Sequence, residues 1–308
     1  MTKATYNPLI HRFAVFLVFW TVLLFVAGAL VTSNDAALSV PDWPKSHGSW
    51  VPPLSTLRAG ALFEFSHRAI AGSLGIFMLI LAVLLWRRDR RPALRWFGVI
   101  AVLGVAVQAV LGGQVVIQLL HYWLPVIHAC FAQIMFAAIL AIALFTSKWW
   151  ISEQPQLEDR GTPSIHFLAL LNAVAIYLQV ILGAGFRHKE IPIWPHMVGA
   201  GVVLGTVIWT AVALRKRFGE SRELSKTRVM LHAIVGIQIL LGFGAWWSRL
   251  STADAPQPMP VMVSLTVTHT VIGALLFGLG VAVVLMCYRL VPRKREELAA
   301  AQREATTS

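Results

Sequence analysis

Charge, acidic side chains and cysteine are all scarce in this chain. Of its 308 residues 13% are charged, and 14 acidic side chains stand against 26 lysines and arginines. The two cysteines, Cys130 and Cys287, fall inside apolar runs near opposite faces, so no disulfide is expected between them and no extramembrane pair exists. Proline-interrupted runs of the kind that build transporter sites at the membrane midplane are missing too, since Pro125 and Pro195 stand at the starts of their runs.

What the chain does have is apolar length. Hydrophobic residues make up 57% of it. Runs of about twenty such residues recur throughout, each long enough to cross a hydrocarbon core of about 30 Å at about 1.5 Å per residue. Eight spans are read, over 13–32, 62–86, 96–118, 123–146, 165–185, 194–214, 229–248 and 262–288. The expected fold class is an all-α membrane protein with eight transmembrane helices.

A formal charge of +12 would suit a nucleic-acid partner, but its distribution argues against one. The basic clusters "RRDRRPALR" (87–95), "RKRFGESRELSKTR" (215–228) and "RLVPRKR" (289–295) fall in every second connection and at the C-terminus. With Lys3 and Arg12, about twenty of the 26 basic residues lie on one side, which the positive-inside rule makes cytoplasmic, both termini included. The partner this charge reports is the lipid bilayer of the cell membrane. "VAGAL" (26–30) contains a cleavage-like Ala-Gly-Ala triplet, but the repeat described next needs this helix, so the span is read as retained.

Three odd-numbered spans carry one phrase near their outer ends: "QAVLGG" from Gln108, "QVILGA" from Gln179 and "QILLGF" from Gln238. The first span has a weaker form, "FVAGAL", with Gly28 in the matching place. Each even-numbered span has a histidine near its outer end followed by small residues: His67, His128, His196 and His269. The chain thus reads as two pseudo-symmetric four-helix bundles, an N-terminal half over 1–150 and a C-terminal half over 151–295, followed by a polar tail over 296–308 with the character of a frayed helix.

Small residues alone would only let helices pack closely. Four intramembrane imidazoles at one depth point further, to a functional site. Zinc wants four N, S or O ligands, whereas each half offers two histidines and the second half has no carboxylate within its spans. Haem supplies four nitrogens of its own and needs only two axial ligands. The expectation is one haem site per half, His67 with His128 and His196 with His269, both toward the outer leaflet.

The halves are not equivalent, because Glu64 is the only acidic residue within these spans and stands one helical turn before His67. Two readings of it remain open. It is an interfacial ion-pair partner of Arg68 or Arg58, or an acid/base group beside the haem that moves protons during oxidation. Arg187, in "GFRHKE", is expected at the outer surface, paired with a haem propionate or with a lipid headgroup. His121 is read as interfacial, His47 and His188 as outer-loop residues, and His11, His166 and His232 as lying at the cytoplasmic ends.

These motifs together resemble the haem A synthase family, membrane enzymes that oxidise a methyl group of haem O to the formyl group of haem A. The resemblance runs from "GALVTSNDAALSVPDWPKSHG" (28–48) through "EFSHRAIAG", "QAVLGGQVV" and "HACFAQ" to "QVILGAGFRHKE", "PHMVGAG" and "THTVIGAL". It implies that His67 and His128, with Glu64, form the substrate-haem site and that His196 and His269 hold a haem b. It also implies that Asp42, Trp43 and Pro44 belong to an outer loop covering the first half. Haem O would be the substrate, with a haem O synthase and an unidentified electron donor as partners, and a homo-oligomer as a further expectation. Many relatives carry two cysteines in that loop where this chain has Val40 and Ser46. Any step that uses an outer thiol pair is therefore absent or met otherwise. The alternatives from other classes are a di-haem b electron carrier, which would need no carboxylate at Glu64, and a haem-handling transporter or chaperone.

Overall fold

The structure is a computed structural model and describes residues 5–292; the polar tail and both extreme termini lie outside the described residues. Among these residues the long elements are helices: α1 (Pro8–Ser33), α2 (Gly60–Arg88), α3 (Pro92–Ile117), α4 (Leu124–Phe145), a one-turn α5 (Lys148–Ile151), α6 (Ile165–Arg187), α7 (Trp194–Phe218), α8 (Arg222–Ser251) and α9 (Pro260–Leu290). Eight of the described helices are long and apolar enough to cross a membrane.

Helix starts follow local chemistry. Asn7 caps α1, its side chain accepting from the Leu9 and Ile10 amides, while proline opens α1, α3, α4, α7 and α9, where its missing N–H costs nothing. Ser164 and Ser221 cap α6 and α8 in the same way. Arginines and lysines occupy the last turns of α2, α7 and α9, the favourable place for cations. Most of the helices overrun the spans read from hydropathy, α8 most of all, because a charged turn outside the hydrocarbon is still a good helix former; α4 instead falls one residue short at each end.

Packing organises the helices into two rings. In the first, α1 packs on α2, α2 on α3, α3 on α4 and α4 back on α1; α6, α7, α8 and α9 close in the same order. The rings meet along a seam where α9 touches α1 and α4, and α4 touches α6. At that seam Phe136 of α4 lies so close to Gly278 of α9 that a Cβ there would stand 2.7 Å from the ring. The connection between the rings is tied down at the basic end: the Leu157 amide donates to the Leu290 carbonyl at 2.8 Å, and Arg217 pairs with Asp159 at 3.2 Å.

Each ring has its own apolar core, and both cores sit at the same end. The first gathers Ile10, Leu17, Met78, Leu81, Leu85 and Ile142; the second gathers Ile165, Leu168, Val207, Leu214, Leu224 and Leu231. These are the halves of the helices nearest the basic connections. The four histidines lie toward the opposite ends. The outer surface is apolar, as lipid contact requires: Phe19, Leu103 and Leu240 are 69%, 61% and 73% exposed. Trp86 and Trp96 meet edge to face at 5.4 Å beside the basic turn, where an aromatic belt belongs.

Candidate functional site: four seated histidines and a clamped loop

Each histidine read from the sequence is seated against a glycine of the preceding long helix. A Cβ on Gly28 would stand 3.1 Å from His67 Cε1; on Gly112, 3.0 Å from His128; on Gly183, 2.9 Å from His196; on Gly242, 2.8 Å from His269. Real Cβ contacts are seldom so short, so glycine is the residue that lets each ring lie flat on the neighbouring backbone. These glycines close the phrases of α1, α3, α6 and α8. The small residues that follow the histidines do something else, for Gly199 and Gly273 give room to the side chains of Gln179 and Gln238.

Those glutamines had no role in the sequence reading. Gln108 Nε2 donates to the His128 carbonyl at 3.0 Å and lies 3.4 Å from its Nε2. Gln179 Nε2 donates to the His196 carbonyl at 2.8 Å and lies 3.0 Å from its Nδ1. Gln238 Nε2 is 3.3 Å from His269 Nε2, and the His269 Nδ1 faces the Gln238 carbonyl at 3.1 Å. The signal was present in the recurring Gln-x-x-x-Gly spacing, which places both residues on one helical face.

In the second ring of helices the imidazoles of His196 and His269 lie edge to face, with centroids 6.2 Å apart and planes at 84°. Two imidazoles at that separation would leave room for one ion between them, at about 2 Å per metal–imidazole bond. A pair of neutral nitrogens without nearby carboxylate suits an axial pair for haem iron, and no cluster of three or more His, Cys, Asp or Glu side chains occurs among the described residues. The residues present therefore fit the group expected of them. His67 and His128 repeat the seat in the first ring.

Glu64 is buried, 3% exposed, and both of its oxygens are engaged. Oε1 takes the Arg68 guanidinium at 2.5 Å and Oε2 accepts the Val40 amide at 2.8 Å. Of the two arginines considered, Arg68 is the one the structure pairs with it. Arg68 also donates to the carbonyls of Val40, Asp42 and Lys45 at 3.0, 2.7 and 3.0 Å, with Ser46 Oγ at 3.5 Å. The outer loop is thus pinned across the mouth of the first ring. Asp42 shapes it, accepting the His47 and Gly48 amides at 2.7 and 2.8 Å, and the Gly48 amide first holds its carboxyl below the usual carboxylate range. Trp43 lies on α3 at Gly113, where a Cβ would meet the indole at 2.5 Å.

Arg187 differs from its expected place. It turns inward, donating to Ser33 Oγ of α1 at 2.8 Å, because α6 ends beside the end of α1 where the rings meet. His188 follows it inward: burial, then the Arg187 and His128 charges, push its imidazole down to about 4. The remaining histidines bind backbone at the basic end, His11 at the Ala143 carbonyl and His166 at the Val291 carbonyl, while His232 faces the Arg228 carbonyl of its own helix. His121 meets Tyr122 edge to face at 4.0 Å. Cys130 and Cys287 are both free and buried.

Fold and site together define a polytopic membrane protein with two intramembrane histidine pairs, one of them under a clamped loop. A model of the cytochrome oxidase assembly protein family matches residues 11–191, and the chain belongs to that family. It is similar to the protein named "Heme A synthase" of Lysinibacillus sphaericus (strain C3-41), 23% identical over 93% of this chain and 95% of the relative. It is also similar to the proteins so named in Geobacillus thermodenitrificans, 27% identical over 62% of this chain and 66% of the relative, and Listeria monocytogenes serotype 4a (strain HCC23), 30% identical over 60% and 64%. These last two alignments span less than two thirds of the relatives.

Proposed function

We propose that the protein is a haem A synthase, a membrane-bound oxidoreductase that converts the methyl group of haem O into the formyl group of haem A. The observation that carries this reading is the set of four glycine-seated histidines in two pairs, only one of which has a carboxylate a turn away. In this reading the two rings are pseudo-symmetric halves. His67 and His128 hold the substrate haem, and His196 and His269 hold a haem b. The histidine ends face the outer leaflet, because the basic connections lie at the opposite ends.

Haem iron supplies the redox chemistry when bound, and the protein's task is positioning and proton management. The imidazoles fix the two planes against their glycines. The pinned loop, with Trp43 lying on α3, keeps water from the first ring. Oxidising a methyl to a formyl, with the oxygen counted from water, releases four electrons, which pass to an oxidant outside the chain, and four protons. Glu64, one turn from His67, is the group placed to take one; Arg68 and the Val40 amide hold its carboxylate ready. Arg187, reaching from the second ring to α1, supplies a cation where a haem propionate would emerge.

The direct test is pigment analysis. Protein produced together with a haem O source should accumulate hydroxylated or formyl haem, and the variant with both His67 and His128 changed to Ala should yield none. Haem O recovered unaltered from the wild type would leave an electron carrier as the better description. A smaller change tests the seats. Gly183→Val should crowd His196 at a cost of about 1–3 kcal/mol. If that cost falls on haem retention, it corresponds to haem held about five- to a hundredfold more weakly in the second half, at about 1.4 kcal/mol per tenfold. Helix content by circular dichroism should not change; unaltered haem retention would show that the close approach has no part in ligation.

A further inference from the structure

Three of the four seats contain a glutamine and one does not. Gln108, Gln179 and Gln238 each stand four residues before the seating glycine, and Leu24 stands in that place before Gly28. The four places are equivalent in space as well, since each lies one turn before the glycine on which its own histidine is seated. At the three glutamine seats the amide nitrogen approaches the histidine ring or its carbonyl. The amide oxygen is buried without a partner at all three, as is Nδ1 of both His67 and His128; beside His128 the free Gln108 oxygen is at hand, whereas beside His67 there is only Leu24.

A buried acceptor left unpaired costs about 1–3 kcal/mol, and its recurrence at three corresponding positions argues for reserved capacity rather than a local packing fault. An imidazole that binds iron through one nitrogen carries its proton on the other and needs an acceptor there, which fixes both tautomer and ring orientation. The glutamine oxygens are acceptors left over beside three of the rings. Leu24 offers His67 no side-chain acceptor.

Resting on the haem reading above, we infer that Gln108, Gln179 and Gln238 are positioning residues for three of the ligands, and that Leu24 leaves His67 as the one exchangeable ligand. The second half is then a firmly six-coordinate electron-transfer site. The first half has one firm ligand, His128, and one that yields, on the side of the ring pair nearest Glu64. The asymmetry is built by a single residue on α1.

Carbon monoxide is the probe, because it binds ferrous haem only where an axial ligand gives way. The purified, haem-loaded wild type, reduced and titrated with carbon monoxide, should take up the gas at the first-half haem alone. Leu24→Gln should weaken that uptake by about 10–100-fold, the range for outer partners of metal ligands. Gln238→Leu should make the second-half haem reactive as well, and Gln238→Glu, which keeps an acceptor oxygen, should restore its inertness. The Gln238 pair does not depend on Leu24→Gln folding. Two haems per chain with an inert wild type, or Gln238→Leu behaving like wild type, would overturn this inference and leave the proposed reaction standing. A single haem per chain, unaffected by substitutions at positions 67 and 128, would remove the first-half site and this inference together.

Discussion

Changing Glu64 to Gln should lower conversion of haem O by about 10²–10⁴-fold per folded, haem-loaded molecule, the range for lost general acid/base catalysis. The second-half haem should keep its spectrum. A carboxylate exchanges protons and an amide does not, while the two are nearly equal in volume. The structure makes the experiment sharper, because Glu64 also anchors the outer loop through Arg68 and the Val40 amide. Arg68→Gln separates the two roles: it keeps the carboxylate and removes the donor to three loop carbonyls. Leaving one partner of a buried pair costs about 3–5 kcal/mol, so this variant should lose yield and thermal stability. If Glu64 moves protons, Glu64→Gln loses far more turnover per folded molecule than Arg68→Gln. Equal losses would mean that Glu64 serves only to close the loop.

The second large effect concerns cofactor content. Changing both His196 and His269 to Ala should abolish the low-spin haem b spectrum of the second half, and either single change to Met should alter it. Their ring centres, 6.2 Å apart, leave space between them for one ion, and the described residues around them hold no cluster of other metal-binding side chains. A double variant with the full wild-type spectrum would exclude this pair as ligands.

The sequence carried most of this arrangement because a membrane narrows the choices. Hydropathy located all eight helices, and the spacing of histidines from helix ends put four of them at one depth. Position along a helix can be read that way; direction around it cannot, and the misses are of that kind. Arg187, at the end of an apolar run, is expected at the surface, whereas its long side chain reaches across to Ser33 of α1. The glutamines were visible as a repeat without a function, since only the approach of α3 to α4, α6 to α7 and α8 to α9 shows what they touch. Arg68 and Arg58 were equal candidates for Glu64 until the helix set Arg68 one turn away on the same face.

The loop over the first ring is fastened at Val40, whose amide and carbonyl meet Glu64 and Arg68, and beside Ser46, whose hydroxyl faces Arg68. These are the two positions at which the resemblance would put cysteines. Here an ionic staple occupies the ground of a covalent one. A thiol pair closes or opens according to the redox poise around it, but a guanidinium has no such state to lose. The staple holding this loop has no thiol for a reductant to open, so its closure does not follow the redox poise around it.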